Sequence, residues 1–139
     1  MKQCDIMKIS EEEVAFVSAQ ESLEEGVSFI RDNSDIKILF VTLGNKGSIA
    51  YYKDEKIYCR GIHQEHVVDT TGAGDTFCGA VLSRILELGT DALTEKDIRE
   101  MLLFANAAAS IVVTRKGALC SMPEPEEIRA ASSLIDKVL

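Results

Sequence analysis

Asp69-Thr70-Thr71-Gly72-Ala73-Gly74-Asp75-Thr76-Phe77 is the most informative stretch of the chain. Gly72 and Gly74 allow the backbone to approach a ligand closely, and the pattern after them is helical at once. Phe77, Val81, Ile85 and Leu88 fall on one face and Gly89 stops the run. Successive amides of Gly72, Ala73 and Gly74 at a helix start would point at one spot, where the helix dipole reinforces them. That makes an anion site. A carboxylate at Asp75, in the first turn, is placed to take a proton from a group held beside the anion. Amides for developing negative charge plus an adjacent base are what phosphoryl transfer to an alcohol requires. A plain tight turn, with Asp75 complementing the dipole, is the competing account. Two better-known templates fail. Gly-x-Gly-x-x-Gly would need glycine where Phe77 stands, and no Gly-x4-Gly-Lys-Ser/Thr string occurs.

Outward from this turn, the pattern is that of an α/β chain. Ile36-Lys37-Ile38-Leu39-Phe40-Val41 reads as a strand buried on both faces of a parallel sheet. A glycine turn follows at Leu43 to Gly47. Ser48 to Tyr52 and Ile57 to Arg60 predict a hairpin around Lys53-Asp54-Glu55-Lys56, and Val67-Val68 a strand or extended loop. Helices are announced by their caps: Ser10 with Glu13, Ser22 with Glu25 in a segment ending near Asn33, and Thr94 with Asp97. The third carries Ile98, Leu102, Ala105, Ala109 and Val112 on its apolar face. Pro125 opens a last helix with Glu126 and Glu127 in its first turn and Ile128, Ile135 and Val138 as its stripe. The chain of 139 residues contains no repeat or linker and reads as one unit.

Composition excludes several functions. Net charge is −8, from 15 basic and 23 acidic residues, so a nucleic-acid backbone is repelled at long range. The longest uncharged run, Met101 to Thr114, falls short of the about 18 residues that suggest a membrane span. Cys4, Cys59, Cys78 and Cys120 contain no Cys-x-x-Cys pair and suit reduced thiols. With no secretory segment evident, a cytoplasmic protein is expected. His63-Gln64-Glu65-His66 lacks a third ligand and reads as a surface loop.

Several motifs together resemble the ribokinase (PfkB) family of carbohydrate kinases. Asp69 to Phe77 resembles that family's C-terminal signature, and Thr42-Leu43-Gly44-Asn45-Lys46-Gly47 its nucleotide-contacting Thr-x-Gly-x-x-Gly turn. Asp5 to Glu13 is similar to the segment holding Asn-x-x-Glu, with Ser10 in the asparagine place. Ala105 to Ala109, continuing through Thr114 to Ala118, is similar to the family's last nucleotide-side helix and loop. The resemblance implies a ribokinase-like sheet flanked by helices, present over 1–139 only as the C-terminal, nucleotide-binding part of one domain. The N-terminal sugar-binding half and its lid would be absent.

The resemblance also implies roles. Asp75 matches the catalytic base, and Gly72, Ala73 and Gly74 the anion hole. Ser10, Thr42, Gly44, Gly47 and Asn106 would line the nucleotide, Asn106 by the adenine. Glu13 would organise the magnesium–phosphate water shell. Asp69, Thr71, Val112, Arg115, Gly117 and Ser121 match a potassium cage built mainly of carbonyls, a donor set suited to a weakly hydrated ion rather than zinc. Without the resemblance, Ser10 with Glu13 is a capping box and Asp69 and Ser121 are turn caps. ATP, Mg2+, K+ and a small sugar are the implied partners, with fructose favoured by the Lys8-Ile9-Ser10 wording and the Ala118 to Glu127 tail. Ribokinase, 2-keto-3-deoxygluconate kinase and nucleoside kinase are the alternatives among enzymes, and a non-catalytic nucleotide- or partner-binding homologue the alternative outside them. An incomplete sheet implies an open edge, and so self-association or pairing with another chain. Without a sugar pocket, turnover by the chain alone is expected to be negligible.

Overall fold

The structure is a computed structural model that describes residues 4–135. Four strands form one sheet in the order β1 (Ile6–Ser10), β2 (Ile38–Thr42), β3 (Gly47–Tyr52), β4 (Glu55–Arg60). The β1–β2 pair is parallel, with Ile6 opposite Ile38 and Ser10 opposite Thr42, and the crossover between them carries α1 (Glu11–Ser18) and α2 (Leu23–Asp32). The other two pairs are antiparallel. β2 is therefore a central strand of a mixed sheet rather than of a parallel one. An apolar run reports burial on both faces, which β2 has, but not the direction of its neighbours. β1 went unread in the sequence because Lys8 and Ser10 interrupt a five-residue run. Its outer edge has no strand partner among the described residues.

Period-two alternation divides the sheet between two cores. Leu39, Val41, Ile9, Ile49 and Tyr51 point to α1 and α2, where Val14, Val27 and Ile30 meet them. Ile38, Phe40, Ala50, Tyr52 and Ile57 point to the opposite layer. That layer consists of α3 (Ala73–Leu88), α4 (Glu95–Val112) and α5 (Pro125–Ile135). On the apolar faces read from the sequence, Phe77, Val81, Ile85, Ile98, Leu102, Ala105 and Val112 are buried, while Leu88 is exposed and Ala109 is half-buried. Ile128 is buried on α5, and Val138 lies outside the described residues.

Caps hold where the sequence put them. Ser10 Oγ accepts the Glu13 amide at 3.2 Å while the Glu13 carboxylate accepts the Ser10 amide at 2.7 Å. Thr94 and Asp97 make the same box, and Asp97 is held below the usual carboxylate range by the Thr94 hydroxyl and amide. The hairpin turn is tighter than the sequence suggested. Only Lys53 and Asp54 lie between Tyr52 and Glu55, and Lys53 has φ of 51°. Val67 and Val68 form no strand. They lie exposed in the irregular connection from β4 to α3, tied by a bond from the Val68 amide to the Val113 carbonyl at 2.8 Å. No described helix is long and apolar enough to cross a membrane.

Candidate active site

A cavity of about 530 Å³ opens where the carboxyl ends of β1 and β2 meet the start of α3. Open α/β sheets hold ligands at this end of their parallel strands. Ser10 and Thr42, the last residues of those strands, line it with Lys8, Glu12, the Gly44-to-Gly47 turn, Ala73, Gly74 and Asn106. Ile62, Val67, Phe77, Ala109 and Val113 give it apolar wall. His63 and Gln64 line it as well, so the loop read as surface also serves the cavity.

The edge of Phe77 meets the Phe40 ring, with centroids 6.3 Å apart and planes at 71°, and this pins the first turns of α3 to β2. Losing that buried ring would cost about 3–5 kcal/mol, so the helix start is held firmly. Gly72 caps α3 with φ of 83°, a left-handed conformation that a Cβ would strain, and a Cβ there would also meet Ala118 at 3.0 Å. The three amides expected for an anion hole are not equivalent. The Ala73 amide is spent on the Thr70 carbonyl at 3.3 Å, whereas the amides of Gly72, Gly74 and Asp75 have no hydrogen-bond partner among the described residues. Ala73 and Gly74 line the cavity, and Gly72 does not. Asp75 is exposed in the first turn, beside the cavity rather than on its wall.

Of the residues expected around the nucleotide, Ser10, Thr42, Gly44, Gly47 and Asn106 are on the wall and Glu13 is not. Glu13 is occupied in its cap, and the carboxylate that lines the cavity is its neighbour Glu12. Glu12 is held below the ordinary range by its own backbone amide, then by the Ser10 hydroxyl and by Lys46. Asn106 is 7% exposed and bound on every side. Its Oδ1 accepts from Ser48 Oγ at 3.0 Å, and its Nδ2 donates to the carbonyls of Cys59 at 3.3 Å and Arg60 at 3.4 Å. Gly47 and Gly61 cross closely at this wall. A Cβ on Gly47 would lie 2.7 Å from the Arg60 carbonyl carbon.

Around Asp69 the loops close on one carboxylate. It accepts the Thr71 amide at 2.9 Å and the Gly117 amide at 3.2 Å. The Thr71 hydroxyl first, and then these two amides, hold Asp69 below the usual carboxylate range. The Val112 carbonyl accepts the Arg115 amide at 3.0 Å, and the Ser121 carbonyl accepts Arg115 Nη1 at 3.4 Å. Arg115 also pairs with Glu127 at 2.5 Å. The six residues expected for a potassium cage thus belong to one cluster of loops joined by oxygen acceptors. The described residues contain no group of three or more His, Cys, Asp or Glu side chains that could hold a metal. The Val112 and Ser121 carbonyls already accept from Arg115, and oxygen donors of this kind suit a weakly hydrated monovalent ion rather than zinc.

The sequence announces Lys8 only as part of the Lys8-Ile9-Ser10 wording, with no contact assigned to it. Its Nζ lies 3.0 Å from the point where a Cβ on Gly74 would stand.

A glycine-opened helix facing the ends of two parallel strands across a cavity defines an open α/β protein whose candidate site lies at the carboxyl end of the sheet. The profile of the pfkB family carbohydrate kinase matches residues 1–125, and the chain belongs to that family. It is 39% identical over 129 residues to fructokinase-1 of Oryza sativa subsp. japonica, an alignment covering 91% of this chain and 39% of that protein. Among solved structures, fructokinase from Vibrio cholerae O395 in its fructose-, ADP- and calcium-bound form superposes with a TM-score of 0.81 at 33% identity. That match covers 91% of this chain and 40% of the other. Arabidopsis thaliana ribokinase complexed with ribose and ATP gives a TM-score of 0.75 at 32% identity, over 92% of this chain and 40% of that one. The chain thus spans about two fifths of the length of these relatives.

Proposed function

We propose that this chain is the ATP-binding, phosphoryl-transfer side of a sugar kinase, with fructose as the acceptor. The observation that carries the proposal is the start of α3. Unpaired amides at Gly74 and Asp75 stand beside the exposed Asp75 carboxylate, next to a cavity walled by the turn from Gly44 to Gly47. In the proposed reaction Asp75 takes the proton of the sugar hydroxyl as its oxygen attacks the terminal phosphorus. The bond from that phosphorus to the bridging oxygen breaks, and ADP leaves. Amides at the head of α3 meet the charge on the transferring group where water would otherwise have to reorganise.

Thr42, Gly44 and Gly47 would flank the phosphates and ribose. Asn106 would serve the adenine through the wall it builds, since its two N–H bonds are already spent. Mg2+ would supply charge neutralisation on the phosphates. It keeps several waters and needs few carboxylates, so Glu12 on the wall suffices, with Glu13 acting through the cap. K+ would sit in the Asp69 loop cluster. Fructose is favoured by the names of the relatives, including the Vibrio cholerae structure that holds fructose and ADP. A cytoplasmic setting, and association of copies or of another chain along the open edge of β1, belong to the same proposal.

Calorimetric titration with magnesium–ATP in potassium and then sodium buffer tests the nucleotide half, with saturable binding weaker in sodium as the expected result. With fructose present, turnover by the chain alone is expected to be negligible, and turnover on adding the remainder of a relative in trans marks the enzyme. Asp75→Asn should then lower turnover by about 10²–10⁴-fold, the usual worth of a positioned base, with ATP affinity unchanged. ATP binding without complemented turnover would assign a nucleotide-binding module, a reading favoured by Asp75 standing exposed on a helix face that includes exposed Leu82 and Leu86. A folded chain that binds no ATP refutes both.

A further inference from the structure

The helical hairpin of α1 and α2 holds most of the chain's net charge. From Glu11 to Asp32 there are seven carboxylates and one cation, Arg31, a net −6 of the whole chain's −8. Glu24 pairs with Lys56, and Glu11 with Lys46 at 3.6 Å. Glu21, Glu25 and Asp32 are exposed and make no ion pair among the described residues. Charge of one sign concentrated in this way raises a local potential that attracts a cationic partner and repels its like.

The same hairpin is apolar at points where its own folding requires nothing apolar. Val14 and Ser18 form the buried side of α1, and Phe16 lies on the opposite side, 88% exposed and next to exposed Val17. On α2, Gly26, Val27 and Ile30 are buried, and exposed Phe29 lies on the far side of the helix from Val27. Val14 and Val27 face the sheet, so both phenylalanines stand on the side turned away from it. The two helices form one platform. A Cβ on Gly26 would meet Val14 Cγ1 at 2.6 Å and Ser18 Oγ at 2.9 Å, so they approach as closely as a glycine allows. Where α2 begins, a cavity of about 220 Å³ opens between them, with Ala15 and Leu23 as apolar wall and Glu11, Glu12 and Glu21 as carboxylates. A lysine or arginine, with an apolar stem and a cationic end, has the complementary chemistry.

We propose that the solvent face of the α1–α2 hairpin docks a cationic amphipathic helix of another protein. Phe16 and Phe29 meet the apolar stripe of that helix, and Glu21, Glu25 and Asp32 pair with its lysines or arginines. One of its cationic side chains enters the cavity between α1 and α2. Aromatic anchors inside a rim of complementary charge are the usual anatomy of a protein interface. A second copy of this chain is a poor occupant, because two hairpins of net −6 would face each other. The proposal does not rest on the kinase reading.

The test is calorimetric titration of the purified chain with a synthetic amphipathic helix of leucine and lysine, with amide chemical shifts recorded alongside. The comparison peptides are the same helix with glutamate for lysine, and oligolysine. Variants are Phe16→Ser, Glu21→Gln with Glu25→Gln, and Leu86→Ser on α3 as a control, each checked for folding by circular dichroism. The leucine–lysine helix should bind with shifts centred on α1 and α2, and both comparison peptides should bind more weakly. Phe16→Ser should weaken it by about 10- to 100-fold, the worth of one buried aromatic side chain. Removing the two carboxylates should weaken it by about two- to tenfold at low salt and flatten its salt dependence. Leu86→Ser should change nothing. Absence of binding, binding unmoved by Phe16→Ser, or oligolysine binding as tightly as the amphipathic helix overturns the proposal. So does an equal loss in Leu86→Ser, which would mean general adhesion to apolar surface. Dimerisation of the chain abolished by Phe16→Ser would assign the face to a second copy and overturn it as well. Peptide binding by a chain that binds no magnesium–ATP would leave the docking face standing and refute the kinase reading alone.

Discussion

Asn106→Ala separates a residue that contacts ligand from one that builds the wall. The side chain joins α4 to β3 and to the end of β4 through one accepted and two donated hydrogen bonds. At about 1 kcal/mol net for each bond, truncation costs about 3 kcal/mol. The Ser48 hydroxyl is fully buried and gains nothing from solvent, whereas the bond to the Arg60 carbonyl is only part-buried, so that carbonyl recovers part of its loss by hydration. A range of about 2–3 kcal/mol follows, a large share of the about 5–15 kcal/mol that holds a domain folded. With a urea slope of about 1–3 kcal/mol per molar, the unfolding midpoint should fall by about 0.7–3 M. The chain has no tryptophan, so far-ultraviolet circular dichroism is the readout. Ser48→Ala in the same background should couple to Asn106→Ala by about 1 kcal/mol in a double-mutant cycle. An unchanged midpoint accompanied by a large loss of ATP affinity would refute the structural assignment and make Asn106 a ligand contact.

Gly47→Ala should cost at least about 3 kcal/mol in urea unfolding: φ of 118° with ψ of −138° excludes a side chain, and a Cβ would overlap the Arg60 carbonyl carbon. Gly79→Ala is the contrasting control, with nothing within 4 Å of a new Cβ in a helix interior, and should gain about 0.5–1 kcal/mol. Asp69 titrates below its ordinary range in the folded chain, so its contribution is complete above the unfolded value of about 4 and is lost as pH falls through the lower folded value. Hydrogen exchange at the Thr71 and Gly117 amides, corrected for intrinsic rate, should lose protection in that acid window. Asp69→Asn should show weaker protection of both amides at neutral pH and less change on acidification.

What the sequence disclosed was local. Ser10 with Glu13 and Thr94 with Asp97 are read within one turn of helix, and both boxes form. The hairpin and the glycine start of α3 are likewise decided by residues a few positions apart. Features set by distant contacts were not legible. Lys8 meets Gly74 only because β1 lies beside β2 and α3 packs over both, so no spacing could announce the pair. The antiparallel neighbour of β2 is hidden for the same reason: burial on both faces looks alike in either direction. Glu12 and Glu13 differ only in rotation about α1, and the cap takes one of them. Asn106 was found by its place in a motif, but its bonds depend on Ser48, Cys59 and Arg60, which no local pattern connects to it.

Much of the cavity is drawn in main chain. Gly44, Gly47, Gly61, Ala73, Gly74 and Ala109 offer it little more than peptide groups and methyls. A surface made this way is hard to retune by ordinary substitution, because changing a neighbouring side chain leaves the peptide outline where it was. Inheritance therefore acts on this region nearly all or nothing. A few replacements, such as a methyl at Gly47, would push the neighbouring main chain of Cys59 to Gly61 apart. Relatives only a third identical can then keep the same mould while the outward helix faces diverge.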